Sequence, residues 1–104
     1  MTASKYRSVP CVIDGHRFAS KKEGNTYIAL KLMERAKQIS GLTLQPRYPL
    51  VVEGHKICTY VGDFLFVENG KMVVGDAKGF RTRDYITKSK LFKALYPDIE
   101  LREY

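Results

Sequence analysis

Asn69-Gly70 stands between two runs of strand-forming residues, "DFLFVE" and "KMVVGD", and no other feature restricts the chain as strongly. Asn-Gly accepts the two positive φ angles of a type I′ turn, whose twist matches that of paired strands. The dipeptide predicts an antiparallel hairpin of fixed register: Glu68 faces Lys71 and, counting outwards, Asp63 faces Asp76. Directly opposed residues lie about 5 Å apart at Cβ, so the turn sets two carboxylates against each other. Strand residues two apart share a face at about 7 Å, so Asp76 also projects alongside Lys78, with the small Ala77 between them.

Turn and period signals extend the reading in both directions. "CVIDGHRF" is a small hairpin about Asp14-Gly15. "SKKEGNTYIALKLMERAKQISG" carries both ends of a helix, with Ser20 as N-cap, Glu23 three residues on and Gly41 past the end. Ile28, Ala29, Leu32, Met33, Ala36 and Ile39 recur at helical spacing and are expected to be its buried stripe. Three β-rich runs follow, "LTLQPRYPLVV", "KICTYVGDFLFV" and "KMVVGDAKG", parted by Glu53-Gly54-His55 and by the Asn69-Gly70 turn. They predict a three-stranded meander. Thr82 then caps a second helix with apolar positions Tyr85, Ile86, Phe92 and Leu95, Pro97 ends it, and "DIELRE" is a last short strand.

The order α-β-β-β-α-β, preceded by a hairpin, implies a mixed α/β (α+β) class with helices packed on a mixed sheet. At 104 residues the chain has room for one core, expected over residues 9–104 behind a tail at residues 1–8. No apolar run approaches the roughly 20 residues that span a bilayer. "MTASKYRSVP" lacks the apolar middle of a secretion signal, so a cytoplasmic location is expected. Cys11 and Cys58 match neither a disulfide framework nor a zinc site and read as reduced, partly buried thiols. His16 and His55 fall in or beside turns, and no role is assigned to them.

The formal net charge is +7, and much of the excess surrounds the Asp76-Ala77-Lys78 motif. From Lys71 to Lys93 seven basic residues, among them Arg81, Arg83, Lys88 and Lys90, stand against Asp76 and Asp84 alone. A polyanion bound there would release counterions and its affinity would fall steeply with salt. A solvated, lysine-rich helix face accounts for the same charges.

Two opposed carboxylates require a cation or a shared proton. Mg²⁺, held by one or two carboxylates and otherwise by water and phosphate oxygens, resolves the conflict at Asp63 and Asp76. Such an ion acts as a Lewis acid and lowers the pKa of bound water. Lys78 can orient or help deprotonate an attacking water and balance charge on a phosphate. The plainer reading is a set of salt bridges among Lys78, Asp76 and Asp63 on an exposed sheet face. Glu23 likewise has two readings, the second half of a capping box with Ser20 or a further metal ligand aimed into a cleft. Lys88 beside Tyr85 and Phe92 either reaches a phosphate or snorkels to solvent. Gln45, next to Pro46, either hydrogen-bonds a catalytic acid or DNA or is an ordinary polar strand-edge residue.

"FASKKEGNTYIALKLMERAKQISGLTLQP", "YVGDF", "VVGDAKGFRT" and "YITKSKLFKALYP" together resemble small phage-encoded proteins of the PD-(D/E)XK nuclease superfamily, over nearly the whole chain. The resemblance implies a restriction endonuclease-like core and places Asp63 and Asp76 as the two acids, Lys78 as the lysine and Glu23 as the acid of the first helix. Gly62 stands where that pattern has proline. It implies a Mg²⁺-dependent DNA endonuclease, with Mn²⁺ able to substitute, acting in the bacterial host cytoplasm. Enzymes of this size and core resemble Holliday junction resolvases that clear branched DNA in recombination and before packaging. Paired incision would call for a homodimer. A nicking or duplex nuclease without junction preference is an alternative. Different in kind are a non-catalytic DNA-binding module that kept the fold and a host-directed inhibitor that binds only protein.

Overall fold

The structure, a computed structural model, describes residues 9–104; the tail expected at residues 1–8 lies outside the described residues. The order of elements is β1 (Cys11–Ile13), β2 (His16–Phe18), α1 (Lys21–Arg35), β3 (Ser40–Leu44), β4 (Arg47–Val52), β5 (His55–Val61), β6 (Phe64–Glu68), β7 (Lys71–Asp76), α2 (Arg83–Leu95) and β8 (Glu100–Glu103). These two helices and eight strands, arranged in three small sheets, make a mixed α+β fold.

The predicted turns form as the residues require. Asp14 and Gly15 take φ 53° and 77°, and Asn69 and Gly70 take 52° and 77°, the two positive angles of a type I′ turn. The hairpin register is the expected one: Glu68 pairs with Lys71, Phe66 with Val73 and Phe64 with Gly75. The helix caps hold as well. Ser20 Oγ accepts from the Glu23 N–H at 3.1 Å, and Thr82 Oγ1 accepts from the Tyr85 N–H at 3.1 Å.

The three-strand meander is replaced by five strands in two sheets. The first long run breaks at Gln45, which takes φ 52° and precedes a proline that has no N–H to give a ladder. The second breaks at Gly62-Asp63. β4 and β5 pair only with each other, as a separate ribbon. The ribbon joins the main sheet through a narrow neck, where Gln45 N–H donates to Asp63 O and Gly62 N–H to Pro46 O, each at 3.0 Å. In the main sheet the order is β3-β6-β7-β8. Its first three strands are antiparallel, and β8 returns through α2 to lie parallel to β7.

Alternation along β6 and β7 divides the core between two faces. Phe64, Phe66 and Val73 pack with Tyr27 and Leu30 of α1 and with Phe18 of β2. Val74 faces the other way, against Tyr85 and Phe92 of α2 and Leu50 and Tyr60 of the ribbon. Full burial of each such large side chain contributes about 1.5–3 kcal/mol.

The buried face of α1 differs from the expected stripe. Met33 and Ile39 of that stripe pack in the core, but Leu32 is 58% exposed and Ile28 43%, Ala29 and Ala36 also face solvent, and the buried residues of the helix are Glu23, Gly24, Tyr27 and Leu30. Gly24 is the cause. A Cβ there would lie 2.6 Å from Cys11 Sγ and 2.9 Å from Ile13 Cδ1, so the bare glycine lets the β1–β2 hairpin close onto this side of the helix. The helix also stops earlier than Gly41 suggested, with Ala36 as C-cap and Lys37 taking the left-handed φ of 61°. On α2, Ile86 is exposed where the spacing predicted burial.

Candidate active site

The two opposed acids meet where the β6–β7 hairpin runs out. Asp76 is the last residue of β7 and is fully buried. Asp63 lies one residue before β6, its N–H bonded to Gly75 O at 3.0 Å and its Oδ2 accepting from the Ala77 N–H at 2.8 Å. The close packing of the neck explains Gly62. A Cβ on Gly62 would come within 2.6 Å of Val74 Cγ1 and 3.3 Å of Pro46 Cγ, and proline would also lose the N–H that Pro46 O accepts.

Asp76 is held from both sides. The Tyr60 hydroxyl of β5 donates to Oδ2, and the Lys78 ammonium lies 3.0 Å from Oδ1. That contact is an ion pair, and Oδ1 has no hydrogen-bond partner beyond it. Lys78 is itself oriented by the Tyr85 ring, whose centroid is 5.5 Å from Nζ. A second pin acts on the backbone, where Lys22 Nζ of α1 donates to Lys78 O at 3.2 Å.

The environment perturbs all three groups. Burial raises the Asp76 pKa to about 6, the Asp63 charge adds to the rise, and the Tyr60 hydrogen bond and Lys78 oppose it. Asp63 is raised chiefly by burial, with the Glu23 charge adding, against the Ala77 hydrogen bond and Lys78. Burial pulls the Lys78 pKa down, but the Asp63 and Asp76 carboxylates outweigh it and hold the group above its ordinary value. Lys78 is therefore an ammonium in this arrangement, which favours charge balancing over the deprotonating role read from the sequence.

Glu23 sits in the first turn of α1, 9% exposed, on the buried side of the helix. Only its backbone N–H takes part in the cap, and no hydrogen bond runs back from Ser20 N–H to its carboxylate, so the capping box is half formed. The carboxylate shares a small cavity of about 190 Å³ with Asp63 and with Gln45, whose side chain is exposed.

The basic candidates divide. Lys88 lines a pocket with Lys78 and Tyr85, and its ammonium lies 3.3 Å from Asp84 Oδ2 one helical turn away. Arg81 is exposed, with Nε donating to Glu103 Oε2 at 2.8 Å. Arg83 and Lys90 are exposed on α2 outside that pocket. Sequence reasoning missed Tyr60 as a site residue and placed Tyr85 only in the core. The signal available was the hydroxyl, since a tyrosine at a core position must find a polar partner. Tyr85 finds Glu103 Oε2 at 2.9 Å, and Tyr60 finds Asp76.

The donor set fits a hard divalent ion in part. Asp63 and Asp76 supply hard oxygens, and the Lys78 ammonium already stands beside Asp76 Oδ1 as a cation. Among the described residues no three His, Cys, Asp or Glu side chains converge closely enough to hold a metal ion together. The cradle supported here is thus the Asp63–Asp76 pair, with Glu23 in the adjoining cavity.

Among the described residues no helix is long and apolar enough to cross a membrane. No curated protein matches the sequence. The model of a family described as "Protein of unknown function (DUF1064)" matches residues 3–103, and the chain belongs to that family.

Proposed function

We propose that the protein is a metal-dependent DNA endonuclease with a PD-(D/E)XK type of site, acting on branched or duplex DNA. The observation that carries this reading is Asp76, a fully buried carboxylate opposite a second, partly buried acid, with Oδ1 3.0 Å from a lysine ammonium. Burying one acid beside another costs stability, and such strain concentrates at functional sites.

Asp63 and Asp76 would hold Mg²⁺, or Mn²⁺ in its place, and the ion when bound would polarise a phosphoryl oxygen and acidify a water. Lys78, kept charged by the two acids, offsets negative charge that develops on the phosphate during attack. Tyr60 fixes the rotamer of Asp76, and the Ala77 N–H fixes that of Asp63. Glu23 stands next to Asp63 to orient water or complete the ligand shell. The positive charge of Lys88, Arg81, Arg83 and Lys90 holds the DNA backbone without reading sequence.

A second reading has one observation in its favour. Asp76 is already enclosed by Tyr60 and Lys78, as the member of a structural ion pair would be. Under it the chain binds DNA and cuts nothing.

A radiolabelled four-way junction and its matched linear duplex, each incubated with Mg²⁺ or with EDTA, separate the readings. The endonuclease cuts only with Mg²⁺, and preference for the junction identifies branched DNA as the substrate. Salt-sensitive binding with no product from either DNA supports the second reading. Mass in solution with and without DNA tests the homodimer that paired incision requires.

A further inference from the structure

The cavity of about 190 Å³ that holds Glu23 and Asp63 has a second wall, and the β1–β2 hairpin supplies it through His16, Arg17 and Phe18. The hairpin shares no strand pairing with the other two sheets. Two side chains fix it against α1: Phe18 is buried in the core, and the His16 ring meets Tyr27 edge-on, with centroids 5.9 Å apart. Arg17 between them stays exposed. It faces Val12 in the second pair from the turn, where a two-residue hairpin points the backbone N–H out of the ladder, so that N–H also lies on the open edge of β2.

Arg17 differs from the cations already placed. Lys31, Lys78, Arg81, Lys88 and Arg102 each pair with a carboxylate, whereas no ion pair among the described residues includes Arg17, although it shares a cavity with two acids. One wall thus offers donors, from Arg17 and the exposed Gln45 amide, and the other offers carboxylates. The acids repel a bare anion, and the guanidinium repels an amine. A phosphate accompanied by a divalent cation suits both walls, the cation beside the carboxylates and the phosphate oxygens on the fork of Arg17. The cavity lies below the roughly 300 Å³ at which sites for whole small molecules begin, so it suits one phosphodiester group and not a nucleoside. We propose that Arg17 binds a backbone phosphate of the DNA across the cavity from Asp63 and Glu23, and that the β1–β2 hairpin is the arm that carries it. The placement of this phosphate at a cleaved bond rests on the endonuclease reading above; the contact itself is tested without cleavage.

Binding to a labelled linear duplex is titrated across roughly 50–200 mM salt in Ca²⁺, which takes the same oxygen ligands as Mg²⁺, and is scored on DNA recovered uncut. Loss of one phosphate contact makes the slope of log K against log salt shallower by about 1, a change that a purely structural role does not produce. Arg17→Ala is expected to show that change and to slow cleavage in Mg²⁺ roughly 10- to 100-fold. Arg17→Lys, which keeps the charge and loses the fork, is expected to keep the wild-type slope and cut more slowly than wild type. Arg35→Ala removes the same charge about 18 Å from Glu23 along α1, beyond the Debye length of about 10 Å, and is expected to keep the wild-type slope. A wild-type slope in Arg17→Ala overturns the proposal, as does an equal loss of slope in Arg35→Ala. Wild-type cutting with slope and rate unchanged in Arg17→Ala removes the anchor and leaves the endonuclease standing; a shallower slope in Arg17→Ala with no cutting by wild type does the reverse.

Discussion

The Tyr60 hydroxyl donates to Oδ2 of Asp76 from the β4–β5 ribbon, a unit that shares no strand pairing with the sheet on which Asp76 lies. The ribbon is thus what satisfies one oxygen of a fully buried carboxylate. Tyr60→Phe removes the donor and exposes the full cost of an unpaired buried acceptor, about 1–3 kcal/mol. Loss of that bond also raises the Asp76 pKa above about 6, since the bond acts to lower it. Urea unfolding at pH 8 should show the full loss and at pH 5, where Asp76 is protonated, a smaller one. Equal losses at both pH values would mean that the hydroxyl does not serve the charged form.

Asp76 also makes the protein less stable as pH rises. Its pKa climbs from the ordinary 3.8 to about 6 on folding, so between those values the folded state keeps a proton that the unfolded state has lost. Stability therefore falls through that window and levels off above it, by about 3 kcal/mol. Asp63, raised in the same direction, steepens the fall. Asp76→Asn should flatten the profile and stabilise the metal-free protein at pH 8. A mutant less stable than wild type at pH 8 contradicts the assignment.

Ser20 and Glu23 should separate cleanly. Ser20→Ala removes the side-chain acceptor of the α1 cap and should cost about 1 kcal/mol. Glu23→Gln keeps the backbone N–H that makes this bond, so unfolding should shift by less than about 0.5 kcal/mol. Cleavage should show the opposite order, with Glu23→Gln at least about tenfold slower and Ser20→Ala near wild type. A Glu23→Gln protein that is destabilised but fully active would restrict Glu23 to the helix start.

Gly62→Ala should be costly although one methyl group is added. The new Cβ meets Val74 Cγ1 at 2.6 Å, and Val74 is fully buried and cannot retreat. Overpacking of this kind costs about 1–3 kcal/mol, and the strain falls on the residue beside Asp63. Thermal unfolding together with cleavage checks both effects. An unchanged melting temperature would show that the neck has slack.

Legibility in the sequence followed how local the determining physics is. Asn69-Gly70 fixed the hairpin register because both residues had to take positive φ, and this alone brought Asp63 and Asp76 together. Ser20 and Thr82 were readable as caps for the same local reason. The split of the long β runs was not read, although Pro46 and Gly62 marked it, because apolar alternation continues through both breaks. The buried side of α1 was misread for a different reason. Spacing finds an apolar stripe, but Gly24 and the hairpin it admits decide which side of the helix is covered. Tyr60 reaches the site only through the ribbon, a long-range contact that no spacing rule encodes.

The most direct test of the endonuclease assignment is Mg²⁺-dependent cleavage and DNA binding measured in parallel for wild type and Asp76→Asn, on a four-way junction and its matched duplex. The predicted result is cutting by wild type alone, with binding by Asp76→Asn equal or tighter because a buried negative charge near the phosphates is gone. Cutting that persists in Asp76→Asn, or binding without cutting by wild type in Mg²⁺, would contradict it.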